Sequence, residues 1–272
     1  MKRWFGTLLI ATVCSAVVHA DVTIVQTTTI EGGMAAMGGP NPSPTITHRI
    51  KGQKARTDVE VPTMQMATIA DLATKQVILL RPDQKTAQVV GTAPSGAGAA
   101  PVGPAPKVDM TMTPTGRSQV IDGITCTEYA FTTSLDMSEM AGPSQMPPEA
   151  AAMMKAMKMN MKGSLWMAKE VPGAAEFIAF QKAANDSDLA SAIARASGMN
   201  LPGMSRMSKA MAGLNGMAYL TEINLTVEGT GQMAEMMQQM GAMKVTTKVT
   251  SVNTDPLADD LFKVPAGYTM IK

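Results

Sequence analysis

The chain has 272 residues, 23 Lys and Arg against 22 Asp and Glu, two histidines and two cysteines. This near-neutral balance leaves no basic footprint for nucleic acid. The scarcity of His and Cys argues against His-rich zinc sites and against Ser- or Cys-based triads. Aromatics make up only 4% of residues while methionine reaches 27, so thioethers must fill or line much of the protein.

Residues 1–20 (MKRWFGTLLIATVCSAVVHA) read as a signal peptide. Lys2 and Arg3 precede an apolar run from Phe5 to Val18, too short for a comfortable bilayer span, and Val18-His19-Ala20 supplies small residues for cleavage. The expected product begins near Asp21 and is periplasmic or secreted, with no stable membrane span after cleavage. Cleavage removes Cys14 and leaves Cys126 alone, so an internal disulfide is excluded and the core must supply stability.

Strand patterns follow. VTIVQTTTI (22–30) alternates and is β-branched. EGGMAAMGGPNPSP (31–44) reads as a flexible insertion. TITHRIKG, KARTDVEV, QMATIADL, QVILLRP and KTAQVV are separated by short turns, which predicts an antiparallel meander, because parallel strands need long crossovers. GTAPSGAGAAPVGPAP (91–106) is low-complexity and reads as a second flexible insertion within one domain spanning 21–272. VDMTMTP and RSQVIDGITCTEYAFTT continue the sheet, with Asp122-Gly123 as a hairpin signal.

Helices are expected in the second half. PPEAAAMMKAMKMNM (147–161) places Met153, Met154, Met157 and Met161 within about a 100° arc, opposite Lys155, Lys158 and Lys162. KGSLWMAKE reads as a strand. AAEFIAFQKAAN and DLASAIARA read as helices, the second capped by Asp186 or Ser187 and ended by Gly198. Residues 203–214 set Met204, Met207, Met211 and Leu214 on one face, and Met233, Met236, Met237 and Met240 form a third methionine face. MAYLTEINLTVEG, KVTTKVTSVNT and a final segment at Tyr268 complete about ten strands.

Four pieces carry a family resemblance: TIADLATKQVILLRPDQKTAQVV, GRSQVIDGITCTEYAF, LWMAKEVPGAAEFIAF and DPLADDLFKVPAGYTMIK. Together they resemble an exported bacterial family known as a domain of unknown function, which is similar to the periplasmic lipoprotein carriers LolA and LolB. The resemblance implies an α+β fold: a strongly curved antiparallel sheet, or half-barrel, with amphipathic helices on its concave side. It implies no catalytic residue. The methionine density and the 91–106 insertion depart from the carriers.

The functional expectation is a non-catalytic binding protein. Flexible, polarizable methionines suit varied apolar shapes. Met153, Met154, Met157, Met161, Met204, Met207 and Met211 are the expected lining for a lipid, lipoprotein or apolar peptide segment; the alternative is that they simply seal the sheet as core. A second reading is Cu(I) binding or buffering, since thioethers are soft ligands, with Met157-x-Met159-x-Met161, Met137-x-x-Met140 and Met34-x-x-Met37 as suggestive spacings. No protein-bound cofactor is expected. Cys126 is expected to be inert packing, His48 a solvent-facing strand residue, and Asp58, Glu60, Asp259 and Asp260 solvated acids. An enzymatic role finds few acid–base groups to support it.

Overall fold

In a computed structural model, residues 21–32, 43–62, 64–90, 109–136, 157–187, 189–196, 210–211, 213–214, 216–239 and 241–271 are described. The expected signal segment 1–20, the 91–106 insertion and most of the 31–44 insertion lie outside them.

The strands are β1 (Val22–Glu31), β2 (Thr45–Lys51), β3 (Lys54–Val61), β4 (Met64–Asp71), β5 (Gln76–Arg81), β6 (Thr86–Val90), β7 (Asp109–Ile121), β8 (Ile124–Asp136), β9 (Met157–Ala168), β10 (Met217–Gly229), β11 (Met243–Asn253) and β12 (Thr269–Ile271). They form one unclosed twelve-stranded sheet in the order β12-β6-β5-β4-β3-β2-β1-β11-β10-β9-β8-β7. Every neighbouring pair is antiparallel except β12 with β6. The expected meander from β1 to β6 is therefore present, and so is the Asp122-Gly123 hairpin. Both turn residues have positive φ, 49° and 82°, the geometry that matches strand twist in a two-residue turn.

Three helices are described: α1 (Ala174–Asp186), α2 (Leu189–Ala196) and α3 (Gln232–Gln239). Ser187 does not open α2 as expected. Its hydroxyl donates to the carbonyls of Ala183 and Ala184 and closes α1 instead. In α3 Ala234 is buried, whereas Met236 is 55% exposed, so that methionine does not serve as an inward anchor. Of the helix expected over 203–214, only residues 210 and 211 are described as helical.

The main core packs α1 and α2 residues (Phe180, Ala184, Leu189, Ala192) against Val22, Ile24, Ile50, Val77 and Leu79, and continues to Trp166, Cys126 and Tyr219. A second cluster puts Phe262 and the C-terminal segment on Ala67, Ile69, Leu80 and Ala87. That segment crosses the sheet before β12 joins β6, which explains the one parallel pairing. Arg56 and Lys51 donate to the carbonyls of Leu261 and Leu257 and tie the crossing down.

Candidate apolar binding face

The sequence MKMNM carries two periods at once. Met153, Met157 and Met161 recur every four residues, as on a helix, but Met157, Met159 and Met161 recur every two, as on a strand. Residues 157–161 are strand, the start of β9. The helical placement of Met157 and Met161 is thus corrected. β9 is paired along its length on both sides, with β8 and with β10, and the backbone hydrogen bonds of two ladders outweigh a marginal helical preference.

Cross-strand register then assembles methionines that lie far apart in sequence. One row runs Met110 on β7, Thr133 on β8, Met161 on β9, Leu225 on β10 and Met243 on β11. The next row on the same face runs Met112, Phe131, Gly163, Ile223 and Val245, and reaches Ile30 on β1. A third contains Leu135, Met159 and Val227. Phe131, Leu165 and Met167 form a buried cluster on which Met110, Met112, Tyr129, Ile223, Met211 and Leu214 pack.

This face is apolar and partly covered. Met110, Met112, Met159, Met161, Leu225 and Met243 are half-buried, while Phe131, Leu135 and Met157 are buried at 1–2% exposure. Gly163 is required in its centre. The Phe131 ring occupies the place of its missing side chain, and a Cβ there would lie 2.1 Å from the Glu222 carbonyl oxygen. Thr133 is the polar residue within the first row. Its hydroxyl is buried and has no hydrogen-bond partner among the described residues, which costs free energy unless a ligand or water supplies one. Directly behind these rows the reverse face is polar, whereas further along the same strands it carries Trp166, Ala168 and Cys126 into the main core. Its row Thr132, Lys162, Asn224, Lys244 alternates with the methionine row, and Lys244 pairs with Glu222 at 2.9 Å.

Of the expected lining residues, Met161 and Met211 come to this face, and Met157 is buried in β9. Met153, Met154, Met204 and Met207 lie outside the described residues. The sequence reading missed Met110, Met112 and Met243 as lining and named Met159 only as a thioether ligand. Period-two alternation in DMTMT and MKMNM was the signal for Met110, Met112 and Met159; the reading took the first as strand without assigning it to the site and gave weight to period four in the second.

Other polar and titratable groups lie elsewhere. Glu128, 3% exposed, is held by Arg117 through both carboxylate oxygens and receives the Thr115 hydroxyl at 2.7 Å. Arg117 and Thr115 sit in a three-residue bulge of β7 opposite Glu128, and the guanidinium lies 5.9 Å over the Trp166 ring. The Arg117 hydrogen bond holds the Glu128 carboxyl below its ordinary range. Cys126 is fully buried and burial pushes its thiol up, consistent with inert packing.

His48 is not solvent-facing. It lies half-buried between β3 and α1, with Nδ1 3.0 Å from the Thr57 hydroxyl and its ring edge-on to Phe177. Burial pulls its imidazole down to about 4, partly opposed by Asp58. Asp58 is not a solvated acid either: it accepts from both Arg49 and Arg56. Asp259 and Asp260 are exposed as expected, each paired with a lysine.

Among the described residues, no group of three or more His, Cys, Asp or Glu is placed to hold a metal ion, and no helix is long and apolar enough to cross a membrane. No protein-family model matches the chain, and no curated protein matches it. Among solved structures, the crystal structure of the ywiB protein from Bacillus subtilis is similar at 12% identity over 85% of this chain and 93% of that chain. The TM-score of that likeness is 0.13, too low to carry a statement about fold or function.

Proposed function

We propose that this chain is a non-catalytic, exported binding protein for an apolar or amphiphilic ligand, acting in the periplasm or outside the cell. The observation that carries the reading is the set of register-aligned rows of thioethers and aliphatic side chains on β7–β11, with a Thr133 hydroxyl among them that no described residue pairs. Thioethers adapt to ligands of varied shape because they are unbranched and polarizable.

The half-barrel form suggested by the resemblance to the periplasmic lipoprotein carriers belongs to the same proposal. α1 touches β2 and β10 while α2 touches β4 and β5. Five strands separate β5 from β10, about 29 Å across a flat sheet at the usual strand spacing. Two packed helices bridge that span readily when the sheet curves around them. The salt bridge from Asp122, in the β7–β8 turn, to Lys248 on β11 at 2.8 Å favours the same bending at the other end. In this reading the helices lie on the concave side.

Titration with an uncharged fluorescent apolar probe tests the binder reading. Saturable binding is expected, at least about ten-fold weaker in Met161→Glu and Met112→Glu, because a carboxylate in an apolar site is costly to desolvate. Lys162→Gln, on the reverse face, should leave it unchanged. Absence of saturable binding to folded protein, or equal affinity in both glutamate variants, refutes the assignment.

The second reading is Cu(I) binding, favoured by the gathering of Met110, Met112, Met159, Met161 and Met243 on one face. Competition against a Cu(I) chelator under reducing conditions decides it. An affinity no better than that of an unrelated methionine-bearing protein ends it.

A further inference from the structure

Beneath α1 the sheet carries a polar seam in an otherwise apolar floor. His48, Thr57 and Thr68 stand in one cross-strand row on β2, β3 and β4, between Ile24 on β1 and Leu79 on β5. The adjoining row on the same face is Val22, Ile50, Ala55, Ala70 and Val77, all apolar and buried. Thr68 is only 4% exposed. The His48 ring is the seam's contact with the helix, through Phe177 at a centroid distance of 5.9 Å. Its Nδ1 is matched by the Thr57 hydroxyl, which can donate to one tautomer or accept from the other.

A proton arriving here finds little compensation. From β3, the carboxylate acting on His48 is Asp58, already committed to Arg49 and Arg56. Ile24 on β1 and Thr68 on β4 bring no charge. The charged residues of α1 are Glu176, Lys182 and Asp186, the last two paired with each other at 3.4 Å on the exposed side. α1 also has a defined pivot. Gly173 before it holds a left-handed φ of 73°, and a Cβ there would meet Val22 Cγ2 at 2.5 Å.

We propose that α1 is an acid-released cover: a proton on the His48 imidazole places a cation between sheet and helix, and α1 swings up at Gly173 while the strands stay paired. The inference is independent of the ligand reading.

The direction follows from linkage. The neutral ring is favoured beneath the helix, where its value is about 4 against 6.5 when free. The cover is therefore held fully above pH 6.5 and loosens as the pH falls towards about 4. Full exposure of the ring on opening would favour the open form several tens of fold at about pH 4.5; its residual solvent contact in the closed form reduces that to about ten-fold.

Hydrogen exchange of the purified protein at about pH 7 and about pH 4.5, corrected for intrinsic rates, reads the opening directly. The expected result is about a ten-fold rise in opening of the α1 peptide, with β9 and β10 unchanged. His48→Gln keeps a partner for Thr57 but cannot be protonated in this range, and His48→Phe fills the space without a titrating group; both should abolish the rise. Equal α1 protection at the two pH values, a loss shared by the strands, or an undiminished rise in the variants overturns the proposal.

Discussion

Alanine at Gly163 probes whether the methionine-bearing half of the sheet is built as described. Gly163 faces Phe131 on one side and Ile223 on the other. Its Cβ would sit 2.1 Å from the Glu222 carbonyl oxygen and 2.8 Å from Cε1 and Cζ of Phe131. The ring could turn, but the carbonyl belongs to the backbone of β10 and cannot. The two strands would have to part by roughly 1 Å or more to restore ordinary contact. Losing one or two ladder hydrogen bonds costs about 1 kcal/mol each, and displacing a ring that is 2% exposed adds about 1–3 kcal/mol of packing strain. A destabilisation of about 2–5 kcal/mol is expected, or a fall in Tm of about 10 °C for a chain of this size. Thermal and urea unfolding of the single variant would measure it. The double variant Gly163→Ala/Phe131→Ala should not recover stability, because the carbonyl clash survives. A Tm within about 2 °C of the unmodified protein would show that β9 and β10 do not pair in this register.

Other perturbations follow from the same geometry. Arg117→Ala should lower the urea midpoint by leaving the buried Glu128 carboxylate with Thr115 alone. Because Glu128 is held below its ordinary 4.5 in the fold, its contribution is present above that value and is lost as the pH falls below it. Unfolding curves of the variant should accordingly depend less on pH in that acid range, and an unchanged profile would contradict the pairing. Phe262→Ala should cost about 3–4 kcal/mol, because the ring is 6% exposed against Ala67, Ile69, Leu80 and Ala87. Proteolysis of the C-terminal segment at Lys263 should then speed up, and unchanged cleavage would argue against that docking. Cys126, buried and with its thiol pushed up, should react with a thiol reagent only after denaturation; rapid labelling of folded protein would refute its burial.

Much of the sheet was legible because short strands announce themselves locally. Alternation in VTIVQTTTI and TITHRIKG, and the Asp122-Gly123 pair, specify extended chain and tight turns without reference to the rest of the molecule. α1 was legible for a similar reason: alanine-rich AAEFIAFQKAAN favours helix, and the preceding Gly173 has the backbone freedom for its left-handed entry. The candidate site was legible only in its chemistry. Methionine abundance pointed to a thioether surface, but Met110, Met112, Met161 and Met243 become neighbours only through strand order.

Local pattern, then, determined the strands, the hairpins and the thioether-rich character of the apolar surface. Tertiary structure alone decided that MKMNM is strand, because both periods fit the sequence and only the flanking β8 and β10 ladders arbitrate between them. It likewise decided that His48 lies under Phe177 and that Asp58 answers two arginines. Burial and pairing depend on which element is laid beside or across a strand: α1 reaches His48 from more than a hundred residues along the chain, while Asp58 finds Arg49 on the neighbouring β2.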